Sequence, residues 1–215
     1  MQPAAILTGD LIGSTLADVG DVDRAMDALS KAAYQISFWA GTDTRFTRFR
    51  GDGWQLYLAD PRLILRATLL LIARLRCGGS GLSTRLSIAV GPVERLGEIG
   101  LAEAVGQAFT LSGRNLDNML SFTSFAYAEH GQKNLWKPAV MDLAIWQATR
   151  WTREQAEAVA LALDPSRPKD ETLARQLGIS RQAFQSRLKG SGIMAMSYAL
   201  AAFETDSPAT ETPHA

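Results

Sequence analysis

The stretch Phe49-Arg50-Gly51-Asp52-Gly53-Trp54 restricts the fold more than any other part of the chain. Residues 42–50 before it alternate as a strand does, and residues 54–59 after it do the same. A Gly-Asp-Gly between two such runs predicts a β-hairpin, with glycines able to take positive φ and Asp52 at the tip. The hairpin commits this part of the chain to an antiparallel sheet. Taken alone, the tripeptide is also an ordinary turn.

A second aspartate adds to it. Residues 4–9 read as a buried apolar strand that runs into Asp10 and then into a Gly13-Ser14 turn. If the two strands are adjacent, their terminal carboxylates could hold a hard cation such as Mg²⁺ between oxygens. Such a cation would in turn hold a phosphate chain.

The remaining pattern supplies the cover. Residues 18–39 have helical spacing, with Val22, Met26, Leu29, Ala33 and Ile36 on one face. Asp60 and Pro61 start a second helix that runs to about Cys77, where Gly78-Gly79-Ser80-Gly81 ends it. Its apolar run, residues 63–75, is interrupted by arginines and too short for a membrane span, so it reads as a core helix. A strand is expected over 82–91, a loop over 92–101, a helix over 102–120 and a strand over 122–128. The order β-α-β-β-α-β predicts an α+β, ferredoxin-like domain, with two helices on one face of an antiparallel sheet. The expected organisation is a first domain over 1–128, a linker and connecting helix over 129–150, a small all-α domain over 151–204 and a disordered tail over 205–215.

Charge and cysteine content narrow the classes. Among 215 residues, 22 Lys and Arg balance 22 Asp and Glu, which argues against a generally basic nucleic-acid binder and leaves room for a local patch. The single cysteine, Cys77, excludes an intrachain disulfide framework and reads as structural. With no charged leader visible at the first residues, the expected setting is cytoplasmic and without a membrane.

Residues 172–188 read as a helix-turn-helix. Ala174 is small where the helices would cross, Gly178 suits the turn, and Ser180 can cap the second helix. Leu173, Leu177, Ile179, Phe184 and Leu188 would share a core. The outward face would carry Arg175, Arg181, Gln182, Gln185, Ser186, Arg187 and Lys189, residue types suited to base edges and phosphates. A helical hairpin that stabilises a dimer is the competing reading.

These motifs carry a family resemblance. Gly9-Asp10-Leu11-Ile12-Gly13-Ser14-Thr15 resembles the first metal motif of class III nucleotide cyclases, and Arg50-Gly51-Asp52-Gly53-Trp54 resembles their second. Residues 85–91, then 106–114, resemble the strand and following helix that in cyclases carry an Asn and, four residues later, an Arg. The set is similar above all to the SatD-like family, a cyclase-like domain followed by a helix-turn-helix, with a GDEFQ-type motif where this chain has Gly51-Asp52-Gly53-Trp54-Gln55. The resemblance covers residues 3–120 and, more loosely, 151–200.

By that resemblance Asp10, the Leu11 backbone and Asp52 would hold Mg²⁺ or Mn²⁺, and Arg114 would contact phosphate. Thr110 stands where cyclases place a ribose-orienting Asn. Arg48 and Glu103 match the positions that read the base, or form a salt bridge instead. Two functions follow. One is a DNA-binding regulator whose cyclase-like domain senses a nucleotide or other phosphate-bearing small molecule. The other is an active nucleotidyl cyclase or related nucleotidyl transferase with an appended control domain. Thr110 favours the first, since a positioning group is lost; Asp10, Asp52 and Arg114 keep the second open. A homodimer is expected, since cyclase-like sites and helix-turn-helix readers both commonly use two chains.

Overall fold

The computed structural model describes residues 3–41, 43–98, 100–131 and 135–206. A five-stranded sheet organises it, in the order β2 (Thr44–Phe49), β3 (Gly53–Leu58), β1 (Pro3–Ile12), β4 (Ser83–Pro92), β5 (Phe125–Glu129). The expected β2–β3 hairpin is present, and β1 is antiparallel to both β3 and β4. The last strand departs from an all-antiparallel sheet: β5 runs parallel to β4. A parallel neighbour needs a crossover, and the helix Gln107–Asp117 (α3) supplies it.

The central strand is apolar because both its faces are covered. Ala5, Leu7 and Leu11 of β1 enter the larger core with α1 (Val19–Ala40) and α2 (Ile64–Cys77). Ala4 and Ile6, on the opposite face, enter a smaller core with Ala108 of α3 (Gln107–Asp117). Two helices therefore cover one face, as the pattern implied, and a third lies across the other.

The helix expected over 102–120 starts only at Gln107. Residues 101–106 have helical composition, but Arg95 and Val105 bridge instead, and Gly106 passes so close to the chain that a Cβ there would stand 2.8 Å from the Pro92 carbonyl oxygen. At the hairpin Arg50 and Gly51 take positive φ, at 50° and 81°, and Gly53 does not. Gly53 is needed for space: a Cβ on it would meet the Phe49 ring at 2.7 Å.

Among the described residues five further α-helices follow: α4 (Trp136–Ala148), α5 (Arg153–Ala162), α6 (Asp170–Gln176), α7 (Arg181–Ser191) and α8 (Ser197–Thr205). The expected linker residues 132–134 and tail residues 207–215 lie outside the described residues. One hydrophobic core runs from the sheet through α2 into these helices, as far as Phe203.

The arginines that interrupt the α2 run hold the two layers together. Arg66 donates to the Leu163 carbonyl at 2.8 Å and pairs with Glu204 at 2.6 Å. Arg74 donates to Gln35 at 2.7 Å, and Gln35 reaches the Ala160 carbonyl. Arg76 donates to the Trp151 carbonyl at 2.7 Å. No helix among the described residues is long and apolar enough to cross a membrane.

Candidate functional site

Asp10 stands opposite Gly53 on β3 and opposite Arg85 on β4, so strand register alone brings it beside the hairpin tip. The Leu11 amide donates to the Asp52 carbonyl at 3.1 Å, and the Ser14 hydroxyl donates to Asp52 Oδ2 at 2.5 Å. Gly13, at φ 87°, makes the turn that brings Ser14 back. The structure thus gathers Asp10, Leu11 and Asp52 at one end of the sheet.

Arg85 is the largest addition to the residues singled out from sequence. Its Nε donates to Asp10 Oδ1 at 2.8 Å, and its Nη2 donates to Oδ2. That hydrogen bond raises the Arg85 pKa further, against the opposing effect of burial. Behind the pair, the Thr84 hydroxyl donates to the Asp10 carbonyl at 2.7 Å and accepts from the Trp54 indole at 3.0 Å. Arg85 belongs to a motif visible in the sequence, but its partner follows only from the β1–β4 register.

The donor set at this end is two carboxylates and the Leu11 backbone, all hard oxygen. That chemistry fits Mg²⁺ or Mn²⁺, which commonly take one or two protein carboxylates and complete their shell with phosphate and water. Among the described residues no group of three or more His, Cys, Asp and Glu is placed to hold a metal. Arg85 shares the Asp10 carboxylate and would compete for it.

Thr110 and Arg114 lie elsewhere. One helical turn apart on α3, they line a cleft of about 320 Å³ with Glu94, Val90 and His130. Between them Ser112 points into the sheet, where its hydroxyl meets Thr8 at 2.8 Å and Thr8 accepts from Gln55 at 3.1 Å. The Thr110 hydroxyl donates to its own helix at the Gly106 carbonyl. Arg48 is held on the α1 side by Asp23 at 2.8 Å and by the Gly51 carbonyl at 2.6 Å. Glu103 is exposed on the segment between Leu101 and Ala104, which pack on the opposite face. The structure does not pair Arg48 with Glu103.

At the C-terminal end, α6 and α7 are joined through Gly178, at φ 66°. Ser180 caps α7 by accepting from the Ala183 amide at 3.2 Å. Leu173, Ala174, Phe184 and Leu188 are buried, while Arg175, Arg181, Gln182, Gln185, Ser186 and Lys189 are exposed. Arg187 is half-buried and paired with Glu157 of α5 at 3.2 Å. The first turn of α6 reaches the same face: Glu171 lies 3.4 Å from Arg181, and Asp170 accepts from Gln185 at 2.9 Å.

No family model matches the chain, and no curated protein does. Two solved structures to which it is similar are a bacterial light-regulated adenylyl cyclase and a guanylyl cyclase. The first is 18% identical over 58% of this chain and 74% of that one, with a TM-score of 0.44. The second is 19% identical over 54% and 69%, with a TM-score of 0.36. What this chain does has to be read from its own residues.

Proposed function

We propose that the chain is a DNA-binding regulator of the SatD-like kind, whose ferredoxin-like, cyclase-like domain binds a nucleotide or another phosphate-bearing small molecule. The observation that carries this reading is α7. Its apolar side is anchored by Phe184 and Leu188, and its outward side presents Arg181, Gln182, Gln185, Ser186 and Lys189 beside a glycine-turned partner helix. That is how a helix-turn-helix offers a recognition helix to the major groove. Arg175 of α6 would add a phosphate contact. Arg187, tied to Glu157, would orient α7 rather than touch DNA.

In the sheet domain, Asp10 and Asp52 would hold Mg²⁺ or Mn²⁺ against the phosphate chain; Ser14 would orient Asp52, and the cation would displace Arg85 from Asp10. The bound cation would supply charge neutralisation on the phosphates. The strand order β4-β1-β3-β2 supports the ferredoxin-like assignment. We place the protein in the cytoplasm, as a homodimer with no membrane partner.

The test is selection from random-sequence DNA, run with and without each nucleoside triphosphate. A recovered consensus is expected. Arg181→Ala then weakens the selected site by about 1–3 kcal/mol and relaxes its sequence preference. Lys189→Ala weakens all sequences alike and lowers the salt slope by about one unit. No affinity above the non-specific background under either condition refutes the regulator.

One observation favours the second reading, an active nucleotidyl cyclase or nucleotidyl transferase. Asp10 and Asp52 gather at one end, while Thr110 and Arg114 line a cleft on α3. Separated half-sites of this kind would be completed by a second chain. Mass analysis of products after incubation with each nucleoside triphosphate and Mg²⁺ or Mn²⁺ separates the two readings.

A further inference from the structure

A cavity of about 270 Å³ lies on the side of the sheet away from α3. Its floor is Ile72 and Leu75 of α2, Leu86 of β4 and Ile145 of α4, all buried. Its exposed lining residues are Arg76, Ser124 and Thr149, the last just beyond α4, with Ile12 as an apolar neighbour. The two sides therefore differ in chemistry: aliphatic carbon at the bottom, hydroxyl and positive charge at the mouth. No carboxylate lines it among the described residues.

Arg76 decides the charge of an occupant. Its Nε and Nη2 both donate to the Trp151 carbonyl, at 3.1 and 2.7 Å. Its Nη1 has no hydrogen-bond partner among the described residues. A guanidinium fixed through two of its nitrogens keeps the third pre-oriented, and an anion is the natural acceptor for it. A cavity of this size is ample for a short hydrocarbon body. Aliphatic walls favour a hydrocarbon over a sugar or a phosphate, because polar atoms there would find no partners.

We infer that this cavity is a binding site for a small amphipathic carboxylate, with its hydrocarbon body against Ile72, Leu75, Leu86 and Ile145 and its carboxylate on Arg76. The site is separate from the Asp10–Asp52 end and does not depend on it. Its walls come from the sheet, from α2 and from α4, and Arg76 itself holds the start of the helices that follow. A ligand seated there bridges the sheet layer and the C-terminal helices. It would act as a second input to the protein, distinct from a phosphate ligand.

The probe is octanoate, with 1-octanol as its uncharged counterpart, titrated into the full chain by calorimetry. Octanoate is expected to bind saturably at one site, about tenfold tighter than 1-octanol, as a charge-assisted hydrogen bond would give. Thr149→Trp, an exposed rim position, fills the mouth. It is expected to abolish octanoate binding with an unchanged far-UV circular dichroism spectrum and an unchanged urea midpoint. Arg76→Gln is expected to bring octanoate down to the affinity of 1-octanol. The inference is overturned if octanoate gives no saturable binding to the wild-type chain, or if Thr149→Trp binds it unchanged. Equal affinity for the acid and the alcohol in the wild-type chain overturns it as well. Nucleotide binding by the same samples is a separate measurement and bears only on the sheet domain.

Discussion

One methyl group added at Gly9 would stand 2.5 Å from the Arg85 carbonyl oxygen and 2.6 Å from the Trp54 ring. Neither neighbour can yield: one is backbone in the β1–β4 ladder, and the other is a fully buried indole. Gly9→Ala is expected to cost about 1–3 kcal/mol by overpacking. The cost would be read as a lower urea midpoint at constant m-value. Next to it, Arg85 grips Asp10 but remains partly exposed, so the pair is worth about 1 kcal/mol at most. Arg85→Gln should therefore raise Mn²⁺ affinity about fivefold by removing a competitor for the carboxylate. Electron paramagnetic resonance would measure this, with Asp10→Asn abolishing the site. Lower affinity in Arg85→Gln would instead make Arg85 a residue that positions Asp10. The meeting of Asp10 with the hairpin tip was legible from sequence, because strand ends beside glycine turns are local patterns. The Arg85 grip and the Arg48–Asp23 pair were not legible, because each depends on register and on which face of the sheet a side chain takes.

Helices were legible where their period decided them and illegible where a tertiary contact did. The spacing predicts α1 to within a residue or so at each end, since one long stripe feeds one core. The start of α3 escaped because the Arg95–Val105 bridge and the tight passage of Gly106 override helical composition, and neither is local. The direction of β5 escaped for the same kind of reason, since composition carries no strand direction. The Asp60 cap was visible from Asp-Pro and brings a pH dependence. Asp60 accepts from the Arg62 guanidinium and from its amide, and these hydrogen bonds hold its carboxyl below the usual carboxylate range. A group with a lowered folded pKa stabilises above its unfolded pKa and loses that contribution as pH falls through the folded value. Asp60→Ala is therefore expected to cost about 1 kcal/mol near neutral pH. The deficit should shrink as pH is lowered below the ordinary carboxylate range, measured as parallel urea titrations of the two proteins.

At the scale of the whole molecule, the question is whether the C-terminal helices open independently of the sheet. The sequence suggests two units, joined by polar residues. The structure packs α5 onto α2 and runs one hydrophobic core through both layers. Arg66 is the strongest polar tie: its side chain is 5% exposed, and it joins the end of α5 to α8. Helix α7 packs on α5 and α6, with its polar face already turned to solvent, so no detachment of the bundle is needed to present it. The expected outcome is therefore a single cooperative unit. In native-state hydrogen exchange, the slowest amides of β1 and of α5 should report the same opening free energy. Arg66→Leu should lower both together by about 2–3 kcal/mol, since Glu204 and the Leu163 carbonyl lose a charged donor. A fall confined to α5, α7 and α8, with β1 unchanged, would mean that the helices open on their own. Arg66 would then be a hinge contact rather than part of a shared core.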